Sequence, residues 1–229
     1  MPPQQSAGAL AAAPRTVGGR PAQLRFFHGP MDCGKSTLAL QIDHNHARQG
    51  RLGLILTQDD RSAQGRITTR VGLSRTAVEL SPDTDLVLVV REQWAAGHRV
   101  DYLIVDEAQF LTAAQVEQLV DLVDVAGVDV YAFGLATDFR SRLFPGSQRL
   151  LELADVISAL QVEVLCWCGG RGGFNGRVVG GWLVTEGEQV LIADTDGGAE
   201  TRYQVLCRMH YRGGDLGPSP AGPEQLPLS

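Results

Sequence analysis

The sequence predicts an α/β fold, a mostly parallel sheet with flanking helices, joined to a small β module. Three observations predict it. From Leu24 to about Leu160, short apolar runs alternate with longer amphipathic ones, as in strands joined by crossover helices. Gly29-Pro30-Met31-Asp32-Cys33-Gly34-Lys35-Ser36 matches GxxxxGK[ST] between an apolar run and a helical pattern. Beyond Asp155 the texture changes to short Val- and Leu-rich runs, Gly-rich turns and paired Cys and His residues.

In chain order, Leu24–His28 reads as the first strand, Lys35–Gln49 as the helix after it and Leu52–Thr57 as a second strand. The polar stretch Asp59–Leu80, with Arg61, Arg66, Arg70 and Arg75, reads as a substrate-side loop. Leu86–Val90, Tyr102–Val105 and Val128–Phe133 are strand candidates. Thr112–Val125 is helical, since Val116, Leu119, Val120 and Val123 recur near the 3.6 period. Gly169–Gly173 and Gly180–Gly181 bracket short antiparallel segments, and Glu186–Thr201 loops outward. The expected organisation is a loose tail over 1–22, a nucleotide-binding domain over 23–155, a second domain over 156–212 and a loose tail over 213–229.

Composition narrows the function. With 229 residues, 44% hydrophobic and 20% charged, the chain has material for a substantial core. A net charge of −6 gives no basic field for nucleic acid. No apolar run approaches the eighteen or so residues of a membrane helix, and the N-terminus lacks a signal-peptide pattern. Cys33 is far from Cys166, Cys168 and Cys207 in sequence and no secretory context accompanies them, so a cytoplasmic, reducing location is expected. Nineteen of the twenty basic residues are arginine; the single lysine is Lys35.

Lys35 sits where chemistry requires a cation. In the phosphate loop, Gly29 through Thr37, backbone amides turn toward nucleotide phosphates and the helix N-terminus favours anions. Lys35 meets the β/γ end, and Ser36, with Thr37 as the weaker alternative, helps hold Mg²⁺. The run Tyr102-Leu103-Ile104-Val105-Asp106-Glu107 supplies the acidic strand end, Asp106 toward Mg²⁺ and Glu107 as a base. A lone Asp-Glu pair could equally cap the helix that follows. On these residues alone, Glu107 could activate water in an ATPase or accept a hydroxyl proton in a kinase. Phe110, Leu135, Phe139 and Phe144 follow strand ends, where they either line a slot for a flat substrate or pack as core. Asp59-Asp60-Arg61 either orients a ligand or forms a solvated turn, and Arg140 either meets phosphate or pairs on the surface. Cys166, Cys168, Cys207 and His210 offer three thiolates and an imidazole for a structural Zn²⁺, against a reading as free thiols. Four protein ligands leave no open position, so such a metal fastens rather than catalyses. His28, His44, His46 and His98 read as surface or loop residues.

Taken in order, these motifs resemble the type II thymidine kinases, the zinc-containing class of deoxynucleoside kinases, over almost all of Leu24–Tyr211. GPMDCGKST resembles the family's phosphate loop, VDEAQF (Val105–Phe110) its Asp-Glu and aromatic motif, and GLATDFRSRLFP (Gly134–Pro145) its third characteristic stretch. The resemblance implies ATP-dependent phosphorylation of the thymidine 5′-hydroxyl, with Glu107 as proton acceptor and Lys35 on the donor phosphates. It places Asp59 and Arg61 on the substrate side, Arg61 near the transferring phosphate. Met31, Phe110, Leu135, Phe139 and Phe144 then surround the nucleoside, and Tyr203 belongs to a lasso-like loop. It further implies a homotetramer and feedback by thymidine triphosphate. Three departures stand out. Asp32-Cys33 replaces an aromatic-small pair, C-x-C replaces C-x-x-C so that Cys166 is the weaker ligand candidate, and Asn175 stands where a Thr is common. The competing functions are a P-loop ATPase acting on nucleic acid and a zinc-tethered nucleotide-binding module without catalysis.

Overall fold

The computed structural model describes residues 20–58, 66–68, 74–189 and 201–218. They form two compact units. The first holds the described residues through Ala136 together with Leu143–Val162; the second holds Thr137–Arg142 together with the described residues from Glu163 onward.

The first unit runs β1 (Leu24–His28), α1 (Lys35–Arg48), β2 (Gly53–Gln58), β3 (Arg66–Thr68), β4 (Ser74–Thr76), β5 (Val78–Leu80), α2 (Leu86–Ala95), β6 (Tyr102–Asp106), a 3₁₀ turn (Ala108–Phe110), α3 (Ala113–Asp124), β7 (Asp129–Gly134), α4 (Pro145–Leu153) and β8 (Val156–Ala159). Six of these strands form a sheet in the order β5-β2-β6-β7-β1-β8, with every pairing parallel. Every residue of β6 and β7 is buried, as central strands covered on both faces require. Strand alternation divides the core. Leu103, Val105, Val130 and Ala132 pack with Val116, Leu119 and Leu122 of α3, while Tyr102, Ile104, Tyr131 and Phe133 pack with Ala39 and Leu40 of α1.

The α/β class and the parallel sheet are as expected, with four local differences. Leu86–Val90 is the start of α2 rather than a strand. The Asp85 carboxylate accepts from Leu88 N at 3.0 Å, and Leu86 and Val90, four apart, form the buried face. The Asp59–Leu80 stretch contains β3, β4 and β5 rather than one loop. The first unit continues past residue 155, because β8 pairs with β1 in the large sheet. His46 is half-buried, with Nε2 2.9 Å from the Tyr131 hydroxyl and its ring against Tyr102.

In the second unit β9 (Phe174–Val179), β10 (Trp182–Val184) and β11 (Thr201–Leu206) form an antiparallel sheet in the order β10-β9-β11, followed by α5 (Arg208–Gly213). Gly180-Gly181 is the two-residue turn of the β9–β10 hairpin. Cys166, Leu206 and Tyr211 are the buried core of this unit, with Phe174 and Leu183 packed against it. The chain beyond Gly213 is bonded rather than loose at first. Trp167 Nε1 donates to Asp215 O at 3.1 Å, and Gln204 Nε2 donates to Leu216 O at 3.0 Å. Likewise Arg20, read as part of the N-terminal tail, pairs with Asp129 at 3.1 Å. Residues 1–19, 190–200 and 219–229, which include most of both tails and of the outward loop, lie outside the described residues.

Arg51 and Asp129 form a buried ion pair at 2.7 Å, and Arg51 also donates to Asp101 O at 2.9 Å. Removing Arg51 leaves the buried Asp129 carboxylate with only the half-exposed Arg20 as a cationic partner among the described residues. Arg51→Met is therefore expected to lower unfolding free energy by about 3 kcal/mol in urea titrations. A change within about 0.5 kcal/mol, the ordinary surface range, would contradict the assignment of this pair to the core.

Candidate functional site

The phosphate loop leaves β1 at His28 and enters α1 at Lys35, with its turn set by local geometry. Gly29 has no space for a side chain, since a Cβ would lie 2.5 Å from Cys33 Sγ. Asp32 and Gly34 both adopt positive φ; Asp32 is exposed and Cys33 is buried. The N-cap residue of α1 is Gly34, which offers no side-chain cap. The first N–H donors of the helix are thereby suited to an anion from outside the chain. Lys35 is buried, and its Nζ donates to Pro30 O at 2.9 Å. A lysine held back against its own loop carbonyl is placed to exchange that bond for a phosphate oxygen.

Ser36 Oγ donates to Asp106 Oδ2 at 2.9 Å, joining the loop to the end of β6. Burial pushes the Asp106 carboxyl up to about 6, with the Glu107 charge adding. The Ser36 hydroxyl, the Glu107 N–H and Lys35 act in the opposite direction. A buried carboxylate beside a second acid and a hydroxyl is an oxygen-rich set that fits Mg²⁺. Thr37, the weaker candidate, is exposed. Glu107 adopts φ 53°, and its N–H donates to Asp106 Oδ1 at 3.1 Å. Its carboxylate accepts a hydrogen bond from Gln109 Nε2. Gln109 was not among the residues expected to act; the only sequence signal for it is an amide two positions after the acidic pair.

In the second unit the donor atoms of Cys166, Cys168, Cys207 and His210 all lie within 4.8 Å of one another. Cys166 Sγ and Cys207 Sγ are each 3.4 Å from His210 Nδ1. Cys166 is thus as well gathered as Cys168, despite the C-x-C spacing. Burial pushes the Cys166 thiol up, but the backbone N–H groups of Cys168 and Cys207, His210 and Cys168 outweigh it and bring it down to about 6. Three sulfurs and one imidazole nitrogen at this separation fit tetrahedral zinc. Asp215 Oδ2 lies 3.9 Å from His210 Nε2, on the side of the ring away from the sulfurs.

A model of the thymidine kinase family matches residues 22–211. The chain belongs to the thymidine kinase family. It is 56% identical to the thymidine kinase of Streptomyces avermitilis over 191 residues, covering 83% of this chain and 88% of that protein. Identity to the thymidine kinase of Cutibacterium acnes is 50% over 196 residues, with 86% and 91% covered. Identity to that of Legionella pneumophila strain Lens is 40% over 199 residues, with 86% and 92% covered. The family is one of ATP-dependent phosphotransferases.

Of the nucleoside-side residues implied by likeness to thymidine kinases, Met31, Phe110, Leu135 and Phe144 belong to the first unit and Phe139, Asn175 and Tyr203 to the second. Phe110 and Phe144 meet edge to face with centroids 5.5 Å apart. In the second unit, Asn175 and Arg177 alternate onto one face of β9, where Arg177 pairs across to Tyr203 on β11. Arg177 is buried with its guanidinium 3.6 Å from the Phe139 ring centroid. It donates to Tyr203 Oη at 3.0 Å, Glu188 O at 2.8 Å and Gln189 O at 2.9 Å. Sequence reading missed Arg177; its signal is an arginine on the Asn175 side of an alternating strand. Arg140 forms an ion pair with Asp138 at 2.8 Å; burial alone would raise the Asp138 carboxyl, but the N–H groups of Arg142 and Arg140 and the Arg140 guanidinium hold it low. Asp59 and Arg61 lie outside the described residues. Among the described residues, no helix is long and apolar enough to cross a membrane.

Proposed function

We propose that the chain transfers the ATP γ-phosphoryl group to the 5′-hydroxyl of thymidine, with Glu107 accepting the hydroxyl proton. The observation that carries this reading is the joined constellation of Lys35, Ser36, Asp106 and Glu107 in a chain matched to the family over residues 22–211. The 5′-oxygen bonds to phosphorus as the bond from phosphorus to the β-phosphate bridging oxygen breaks. The proton passes to the Glu107 carboxylate, and the departing electron pair stays on ADP.

Backbone amides of Gly29 through Thr37 seat the ATP phosphates, and Lys35 neutralises charge at their β/γ end. Ser36 and Asp106 hold Mg²⁺, which supplies positive charge to the phosphate oxygens. Arg61 completes the charge near the transferring phosphate and Asp59 orients the substrate, by likeness to the family motif. By likeness to the family motifs, Met31, Phe110, Leu135 and Phe144 of the first unit are nucleoside-side residues, as are Phe139, Asn175 and Tyr203 of the second, with Asn175 and Tyr203 offering polar groups. Cys166, Cys168, Cys207 and His210 hold one structural zinc. Cytoplasmic location, homotetrameric assembly and feedback by thymidine triphosphate belong to the same proposal. The high identity to thymidine kinases disfavours both a nucleic-acid ATPase and a noncatalytic module.

Glu107→Gln keeps the size of the side chain but removes its basicity. Thymidine-dependent ADP formation is expected to fall by about 10²- to 10⁴-fold, with ATP binding by calorimetry retained. Near-normal transfer would overturn the role of Glu107. Metal analysis of the purified protein should find about one zinc per chain, and a His210→Ala variant should lose it together with thermal stability. Active protein without zinc would overturn the assignment of the cluster.

A further inference from the structure

The Glu107 carboxylate stands on a residue with left-handed backbone, φ 53°, just past the end of β6. An L-residue in that region is held by its surroundings rather than by its own preference. Among the described residues, its carboxylate has one hydrogen-bond partner, Gln109, which is 1% exposed. Gln109 is itself held at its other end. Its Oε1 accepts from Leu135 N at 3.0 Å, at the end of β7. Because a backbone N–H can only donate, the amide oxygen must face Leu135 and the amide nitrogen must face Glu107. The orientation of the side-chain amide is therefore chemically determined.

The anchor is in turn clamped from α4. Leu135 O accepts from the buried Ser147 hydroxyl. Beside it, a Cβ on Gly146 would lie 2.5 Å from Leu111 O, 2.8 Å from Ala108 O and 2.9 Å from Gln109 O. The start of α4 thus presses directly on the backbone that carries Gln109. A continuous path of bonds runs from Ser147 through Leu135 and Gln109 to Glu107.

We propose that Gln109 is a positioning residue, whose amide ties one oxygen of the Glu107 carboxylate to the end of β7 and leaves Oε1 free to accept the substrate hydroxyl proton. The proposal rests on the reading of Glu107 as the proton acceptor. An amide suits this task because it presents a donor without bringing a charge or a proton that would compete for the base. A glutamate in its place would still accept from Leu135 N–H but would set an acceptor against an acceptor. Displacement of a reacting group by about 1 Å is enough to cost about 10²-fold in rate.

Gln109→Glu keeps the Leu135 bond and loses the donor. Its kcat for thymidine phosphorylation is expected to fall about 10- to 100-fold, with the KM values for thymidine and ATP near those of the parent. A Gln109→Glu protein with parental kcat, or one whose loss is entirely in KM, would overturn the proposal. Gln109→Met removes both bonds, and it is read in a double-mutant cycle with Glu107→Gln. If Gln109 acts through Glu107, Gln109→Met lowers kcat in the parent but adds no further loss to Glu107→Gln. A full additional loss in that background would overturn positioning while leaving Glu107 as the base. Near-normal transfer by Glu107→Gln alone would overturn the base assignment and this proposal with it.

Discussion

The hydrogen bond from Ser36 to Asp106 closes a gap that the sheet itself opens. β1 and β6 are not neighbours; β7 lies between them, so the strand ends that carry the phosphate loop and the acid are about 10 Å apart. The loop must carry the first turn of α1 across β7 to reach Asp106. It does so through the positive-φ residues Asp32 and Gly34, and through close packing of Gly29 on Cys33. Once the gap is closed, Lys35, Ser36, Asp106 and Glu107 share the carboxyl end of one parallel sheet, where ligands of such folds are bound. A buried acid beside another acid is unfavourable without a cation. The same arrangement that holds the Asp106 carboxyl high would be relieved by a cation at this place.

The second unit solves a different problem. Its three short strands enclose a core of only a few side chains, too small to hold a fold by apolar burial alone. A cluster of three thiols and an imidazole is the usual remedy, and here it joins Cys166 and Cys168, ahead of the sheet, to Cys207 and His210 at the start of α5. Arg177 adds a polar centre. Among the described residues its buried cation has no carboxylate hydrogen-bond partner and is balanced by two carbonyls, a phenol and the face of Phe139. Those carbonyls belong to Glu188 and Gln189, so the arginine fixes the described chain immediately ahead of residue 190.

What was legible in the sequence followed local rules. The phosphate loop between β1 and α1, the acidic end of β6 and the two pairs Cys166 with Cys168 and Cys207 with His210 each follow spacing within a few residues, whereas the meeting of the two pairs depends on the fold. The Leu86–Val90 run misled because its β-branched residues suit a strand, whereas the cap at Asp85 and the buried pair Leu86 and Val90 decide for a helix. The place of β8 in the large sheet, beyond the change of texture at Asp155, depends on a pairing with β1 over 130 residues away. Gln109 and Arg177 escaped for the same reason. Neither residue type is a reacting group, and their significance comes from partners at Leu135, Phe139, Glu188 and Gln189 that only the folded chain brings to them.

Delivery of phosphorus to a nucleoside hydroxyl rather than to water is tested most directly by following the phosphorus atom itself. With ATP labelled at the γ-phosphate, Mg²⁺ and thymidine, the label should appear in thymidine monophosphate in step with ADP. Label accumulating as inorganic phosphate, with thymidine recovered unchanged, would contradict the account.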